Sequence, residues 1–156
     1  MNRTLNIGTE KALQKIKQFC AYQERSHRQV KEKLFSYGLY KLQADELLSR
    51  MIEENFLNEE RYATAFAGGK FRMKGWGKVK IKYELKQQQV SEYCIRLAVN
   101  TIDDVEYEKK LLHLFHQKLK TLKGERNIYI KKRKLQDFLK QKGYEPVLIN
   151  KLLQVA

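Results

Sequence analysis

Three stretches of this chain superimpose on one another without a gap: 26–39, 77–90 and 131–144. Leu34, Leu85 and Leu139 coincide, as do Val30, Ile81 and Leu135 four residues earlier, while Gly38, Gln89 and Gly143 fall together near the end. Apolar residues four apart share one face of a helix, and glycine is the residue that most readily adopts the left-handed conformation that ends one. A unit recurring about every fifty residues constrains the fold more than any single motif. Units of that size bury too little apolar surface alone and must pack on their neighbours.

Each repeat reads as the middle of a three-helix group. Thr9 is a good N-cap for a first helix to about Gln23, with Leu13, Ile16 and Cys20 on one face. Ser26 and Gln29 form a capping box for the second helix, which buries Val30, Leu34 and Tyr37 and stops at Gly38. A third helix over 42–54 turns Leu47, Leu48, Met51 and Ile52 inward and closes at Asn55. The central group opens at Asn58, with Glu59 and Glu60 beside the positive helix end and Leu57 placed to staple onto Tyr62. Tyr62, Phe66 and either Gly69 or Met73 continue its buried stripe to about residue 74. Gly68 and Gly69 inside it suggest a closely approaching helix.

Residues 78–85 alternate lysine or glutamate with Val79, Ile81, Tyr83 and Leu85, which taken alone is the pattern of a half-buried strand. The repeat reverses that reading, because the two aligned stretches are helical. Further helices are expected from Ser91, over 104–122 with a stripe of Leu111, Leu112, Phe115, Leu119 and Leu122, and from Pro146 at a first helical position. The expected fold is all-α: a flexible tail over 1–8, then three tandem three-helix, helix-turn-helix-like repeats over 9–57, 58–102 and 103–156, forming an elongated, curved body.

Chemistry for catalysis is missing from the motifs. No phosphate-binding glycine loop, metalloprotease helix or nucleophile elbow is present, so neither an enzyme nor a cofactor is expected. His113 and His116 lie three apart but lack a third ligand, and read as a surface pair. Cys20 and Cys94 sit among apolar residues and read as buried thiols of a reducing cytoplasm. No apolar run is long enough to span a membrane, and the first residues lack a signal-peptide core.

Charge is the positive signal. Lysine and arginine number 32 against 18 acidic residues, a net +14, which favours polyanionic partners. Lys70, Arg72, Lys74, Lys78, Lys80 and Lys82 surround Trp76, which two glycines flank; Lys131, Lys132, Arg133 and Lys134 open the corresponding helix of the third repeat; Arg25 and Arg28 hold the matching place in the first. On stacked repeats these helix starts would line one side as a basic track for phosphates, binding with steep salt dependence. Trp76 could stack on a base or cover a helix junction. Arg61 suits either a buried ion pair or a contact. A helix-turn-helix DNA- or RNA-binding transcriptional regulator is an alternative, and so is a purely structural adaptor.

The run from Asn55 through Phe56, Leu57, Asn58, Glu59, Glu60, Arg61, Tyr62 and Ala63, then Phe66, Lys74-Gly-Trp-Gly-Lys78, Ile81, Glu84 and Leu85, closely resembles the core signature of the RecX family, regulators of the RecA recombinase. The resemblance extends from about Lys11 to Leu153, although the outer repeats match mainly in layout. The family pattern commonly has glycine where Asn55 stands and aspartates where Asn58 and Glu59 stand. These changes preserve the helix-stop and capping chemistry. The resemblance implies a cytoplasmic, monomeric, non-enzymatic modulator that lodges in the groove of the RecA–single-stranded DNA filament and suppresses ATP hydrolysis and strand exchange. It also implies intrinsic binding to single- and double-stranded DNA.

Overall fold

The computed structural model describes residues 5–155, and all regular structure among them is helical. The helices are α1 (Thr9–Tyr22), α2 (His27–Ser36), α3 (Lys41–Glu53), α4 (Glu59–Gly69), α5 (Lys78–Gln87), α6 (Glu92–Asn100), α7 (Asp104–Thr121), α8 (Ile128–Lys142) and α9 (Pro146–Val155); a π-helical turn, Lys70–Lys74, extends α4. The repeat signature holds residue by residue. Val30, Leu34, Ile81, Leu85, Leu135 and Leu139 are all buried, and the chain leaves these helices left-handed at Gly38 (φ 80°), Gln89 (φ 61°) and Gly143 (φ 99°). The alternating stretch is helical, with Ile81 and Leu85 inside and Val79 and Tyr83 in solvent.

Two compact units divide the chain. One comprises Met1–Ala65 and Leu85–Ile95, the other Phe66–Glu84 and Arg96–Ala156. The division passes through α4, α5 and α6, so the central helices serve both.

In the first unit, Ile16, Cys20, Val30, Leu34, Leu47 and Met51 belong to one buried cluster. Each such apolar side chain stabilises by about 1.5–3 kcal/mol. The Ser26 capping box forms as expected, with Oγ accepting from Gln29 N over 3.0 Å and Gln29 Oε1 accepting from Ser26 N. Asn58 Oδ1 accepts from Arg61 N, and Asn55, just past the end of α3, is left-handed at φ 62°. Arg61 proves structural: its guanidinium pairs with Glu24 and also binds Asn55 O and Phe56 O, tying the end of α1 to the turn before α4.

Several expectations need correction. Thr9 is the first helical residue, and the cap position belongs to Gly8, whose N–H donates to Asn6 Oδ1. Of the tail expected over 1–8, residues 1–4 lie outside the described residues. Ile7 N donates to Tyr37 O and Asn6 Nδ2 to Gln43 Oε1, so Asn6 and Ile7 lie against the end of α2 and the start of α3. Ile52 is exposed and Ala44 takes the inward place. Likewise Leu112 is exposed and Leu114 buried. Met73 is in solvent (84% exposed): the inward row runs Ala63, Ala67, Phe71, and Met73, two residues beyond Phe71, falls on the opposite face. At the glycine pair the nearest neighbour is a side chain rather than a helix backbone. The Arg72 guanidinium folds onto Gly68, and Gly69 faces open space.

Candidate nucleoprotein interface

The basic, tryptophan-bearing turn at 74–78 is held by the end of α8 in the second unit. Gly77 N donates to Lys142 O over 2.8 Å, Val79 N to Gly143 O over 2.9 Å, and Lys78 N to the Tyr107 hydroxyl over 2.9 Å. The first N–H groups of a helix lack internal partners, and these acceptors satisfy them. Two are the end carbonyls of another helix, so opposite dipole ends meet. Approach this close requires glycine on both sides. A Cβ on Gly77 would fall 2.3 Å from Gly143 O, and one on Gly143 would fall 2.2 Å from Lys80 Cβ.

Buried aromatics brace the same turn. Phe71, Tyr107 and Tyr144 stack in series, with ring centroids 5.8 and 5.2 Å apart. The Tyr144 hydroxyl donates to Gly75 O over 3.1 Å, and the Tyr107 hydroxyl to Glu145. Burial raises the pKa of both phenols, and the Glu145 bond raises Tyr107 further. Both therefore stay neutral and keep donating at neutral pH.

On this frame Trp76 is half-buried. Lys80 Nζ lies 4.6 Å and Lys70 Nζ 5.1 Å from its ring centroid, and Phe66 meets it edge to face at 6.1 Å. Beside it, α8 supplies Phe138, whose ring lies 5.4 Å from Lys118 Nζ and 6.0 Å from Lys142 Nζ. Trp76, Lys80, Phe138, Gln141 and Lys142 line a cavity of about 260 Å3.

The thirteen candidate residues do not all gather here. Lys70, Trp76 and Lys80 do, and Lys74 is close by, its carbonyl accepting from Lys142 Nζ over 3.3 Å. Lys78 points away, over Tyr107 at 4.7 Å and toward Asp104 at 3.7 Å. Arg72 covers Gly68, and Lys82 is exposed. Lys131, Lys132, Arg133 and Lys134 do not open α8, which starts one turn earlier at Ile128 under an Asn127 cap; Lys134 pairs with Glu125 at 3.8 Å. Arg25 and Arg28 are engaged internally. Arg25 stacks 3.7 Å from the Phe19 centroid and donates to Phe19 O; Arg28 donates to Gln87 O and Glu32.

This scaffold has known counterparts. The model of "RecX, second three-helix domain" matches residues 58–99. A regulatory protein RecX of Clostridium botulinum is 32% identical over 133 residues, 85% of this chain and 62% of its own length. One from Thermotoga petrophila is 28% identical over 152 residues, 97% and 88% of the two chains. The crystal structure of RecX from Lactobacillus salivarius superimposes with a TM-score of 0.81 at 20% identity, covering 94% of this chain and 95% of that one. The chain is similar to RecX proteins over most of its length and shares the fold of a solved one. It spans about three-fifths of the length of the clostridial relative.

Within this RecX-family fold, sequence reasoning missed Phe138, Gln141 and Lys142. The only sequence signal for them was indirect. Gly77 and Gly143 are the glycines that let the last turn of α8 lie against the tryptophan turn, and neither marks the other until the fold pairs them.

Proposed function

We propose that this chain is a regulator of the RecA recombinase, binding in the groove of the RecA–single-stranded DNA filament and suppressing ATP hydrolysis and strand exchange. Regulation without catalysis accords with the naming of its relatives as regulatory proteins. The observation that carries the reading is the charge at the tryptophan turn: Lys70, Lys80 and Lys142 converge around Trp76 and Phe138, with no carboxylate lining the cavity between them. A cationic face without internal counter-ions is free to displace counterions from a phosphate backbone. Lys74, Lys82 and the exposed part of 131–134 extend the proposed contact, with Lys78, Arg25 and Arg28 contributing less because their charged groups are already engaged, and Arg72 because its guanidinium lies over Gly68. Intrinsic binding to single- and double-stranded DNA belongs to the same reading.

The helix-turn-helix alternative draws little support. The starts of α3, α6 and α9 carry Lys41-Leu42-Gln43, Glu92-Tyr93 and Pro146-Val147, and Gln43 is occupied by Tyr40 N and Asn6. Reading bases from a groove calls for free arginine, asparagine or glutamine at such positions. The test is the single-stranded-DNA-dependent ATPase of the host recombinase, titrated with this protein at several salt concentrations. Hydrolysis and strand exchange should fall, and the effect should weaken steeply with salt. Unchanged activity at saturating protein sinks the proposal.

A further inference from the structure

We infer that the cavity between Trp76 and Phe138 is a stacking subsite for one unpaired nucleobase, with the lysines at its rim taking the flanking phosphates. This deepens the proposed function and rests on it, assigning to one place in the second unit the contact with single-stranded nucleic acid.

Two other cavities of that unit show by contrast what this one selects. One of about 410 Å3 is lined by Asp104, Glu108 and Glu145 as well as Lys78 and Lys151, and one of about 370 Å3 includes Glu106 beside Lys109 and Lys110. Both mix signs. The Trp76 cavity has two lysines, one amide, two aromatic rings and no acid. Its ligand is therefore an anion with a planar apolar part. At about 260 Å3 it is smaller than the roughly 300–1,000 Å3 of a site for a whole drug-sized molecule, a size suited to a single ring system.

The lysines suit exchange. Four ammonium groups lie within 6.0 Å of the two ring centroids: Lys70 and Lys80 at Trp76, Lys118 and Lys142 at Phe138. Cation–π contacts at such sites are weak, about 0.5–1 kcal/mol. A lysine stem is flexible, and its ammonium can leave the ring face for a phosphate without backbone movement. The ring itself is fixed, because the turn bearing it is locked through Gly75, Gly77 and Val79 to α8 and Tyr144. The Gln141 amide at the rim offers a donor and an acceptor to a base edge. Stacking tolerates any base, since every base has a π face, so little sequence preference is expected.

Trp76 is the chain's single tryptophan, and its fluorescence reports this site alone. The full chain is titrated, without recombinase, with oligothymidylate, an abasic strand of equal length and an acidic peptide. Oligothymidylate should quench Trp76 and bind about tenfold more tightly than the abasic strand. Phe138→Leu should remove most of that advantage while leaving the salt slope, which counts phosphates, unchanged. Because Phe138 is half-buried, helicity is checked by circular dichroism, and Gln141→Glu, at an exposed position, is a second variant. A carboxylate there should weaken oligothymidylate binding and quenching. Equal affinity for the abasic strand, quenching by the acidic peptide to the same extent, or binding without change in Trp76 emission overturns the subsite. In that last case salt-dependent binding would persist and the regulator reading would stand. Absence of binding to every polyanion at low salt defeats both.

Discussion

At Gln87 and Gln88 the end of α5 receives the start of α2 through side chains: Ser26 Oγ donates to Gln88 Oε1 over 3.0 Å, and Arg28 Nη1 to Gln87 O over 2.5 Å. At Lys142 and Gly143 the end of α8 receives the start of α5 through the backbone, with glycines in contact. The same repeat position is used in both units with different chemistry. A side-chain junction occupies its own cationic groups, so Arg28, though exposed, is held on a carbonyl. A backbone junction leaves the side chains free, and Lys70, Trp76 and Lys80 remain at the surface of a rigid turn. Which helix starts are available for binding is thus decided by what makes the junction rather than by the number of lysines nearby.

Breaking the backbone junction should have the largest effect. Gly143→Ala places a Cβ into Lys80 at a left-handed residue, and should cost about 2–5 kcal/mol in urea unfolding. Tyr107→Phe leaves Lys78 N–H without its acceptor and Glu145 without its donor, for a loss of about 1–3 kcal/mol. The two phenols also predict a pH response. Their folded pKa values lie above the ordinary tyrosine value of 10.0, so their contribution is complete below pH 10 and is lost as pH rises beyond it. Chemical-denaturation midpoints should therefore hold from pH 7 to 9 and fall above 10, by up to about 1.4 kcal/mol per pH unit for each phenol.

In the side-chain junction, Ser26→Ala removes a helix cap and the Gln88 contact and should cost about 1 kcal/mol. The smallest effect should be a gain. Gln89→Gly gives the second repeat the left-handed residue the other two already have, and should raise stability by about 0.5–1 kcal/mol. A loss there would mean the Gln89 side chain makes a contact that matters more than its backbone strain.

Most of the helical scaffold was legible because it is written in spacings. Leu34, Leu85 and Leu139 identify the buried faces, and their repetition overrules the strand-like alternation of 78–85, a local pattern that cannot report what it packs against. Capping chemistry at Ser26, Asn58 and Pro146 was equally readable, being local. What escaped is partly local, at one turn and one cap, and partly non-local. The π-turn at Lys70–Lys74 leaves no signature in residue types. The Asn127 cap that adds a turn to α8 displaced Lys131 from the helix start. Half of the proposed site, Phe138 to Lys142, lies about sixty residues along the chain from Trp76 and joins it only through paired glycines. Lysine density drew attention to the 74–78 turn, but could not distinguish Lys80, at the aromatic cavity, from Lys78, drawn away by Tyr107 and Asp104.

The most direct measurement is ATP hydrolysis by the recombinase on single-stranded DNA, titrated with the parent chain and with Lys70→Glu/Lys80→Glu. Lys70 holds the turn only through its backbone carbonyl, and neither lysine side chain makes a hydrogen bond or ion pair there, so the variant should keep its helicity. The account predicts that the parent suppresses hydrolysis and the variant, equally folded, requires far higher concentrations to do so. Suppression by the variant at the parent's concentrations would contradict it.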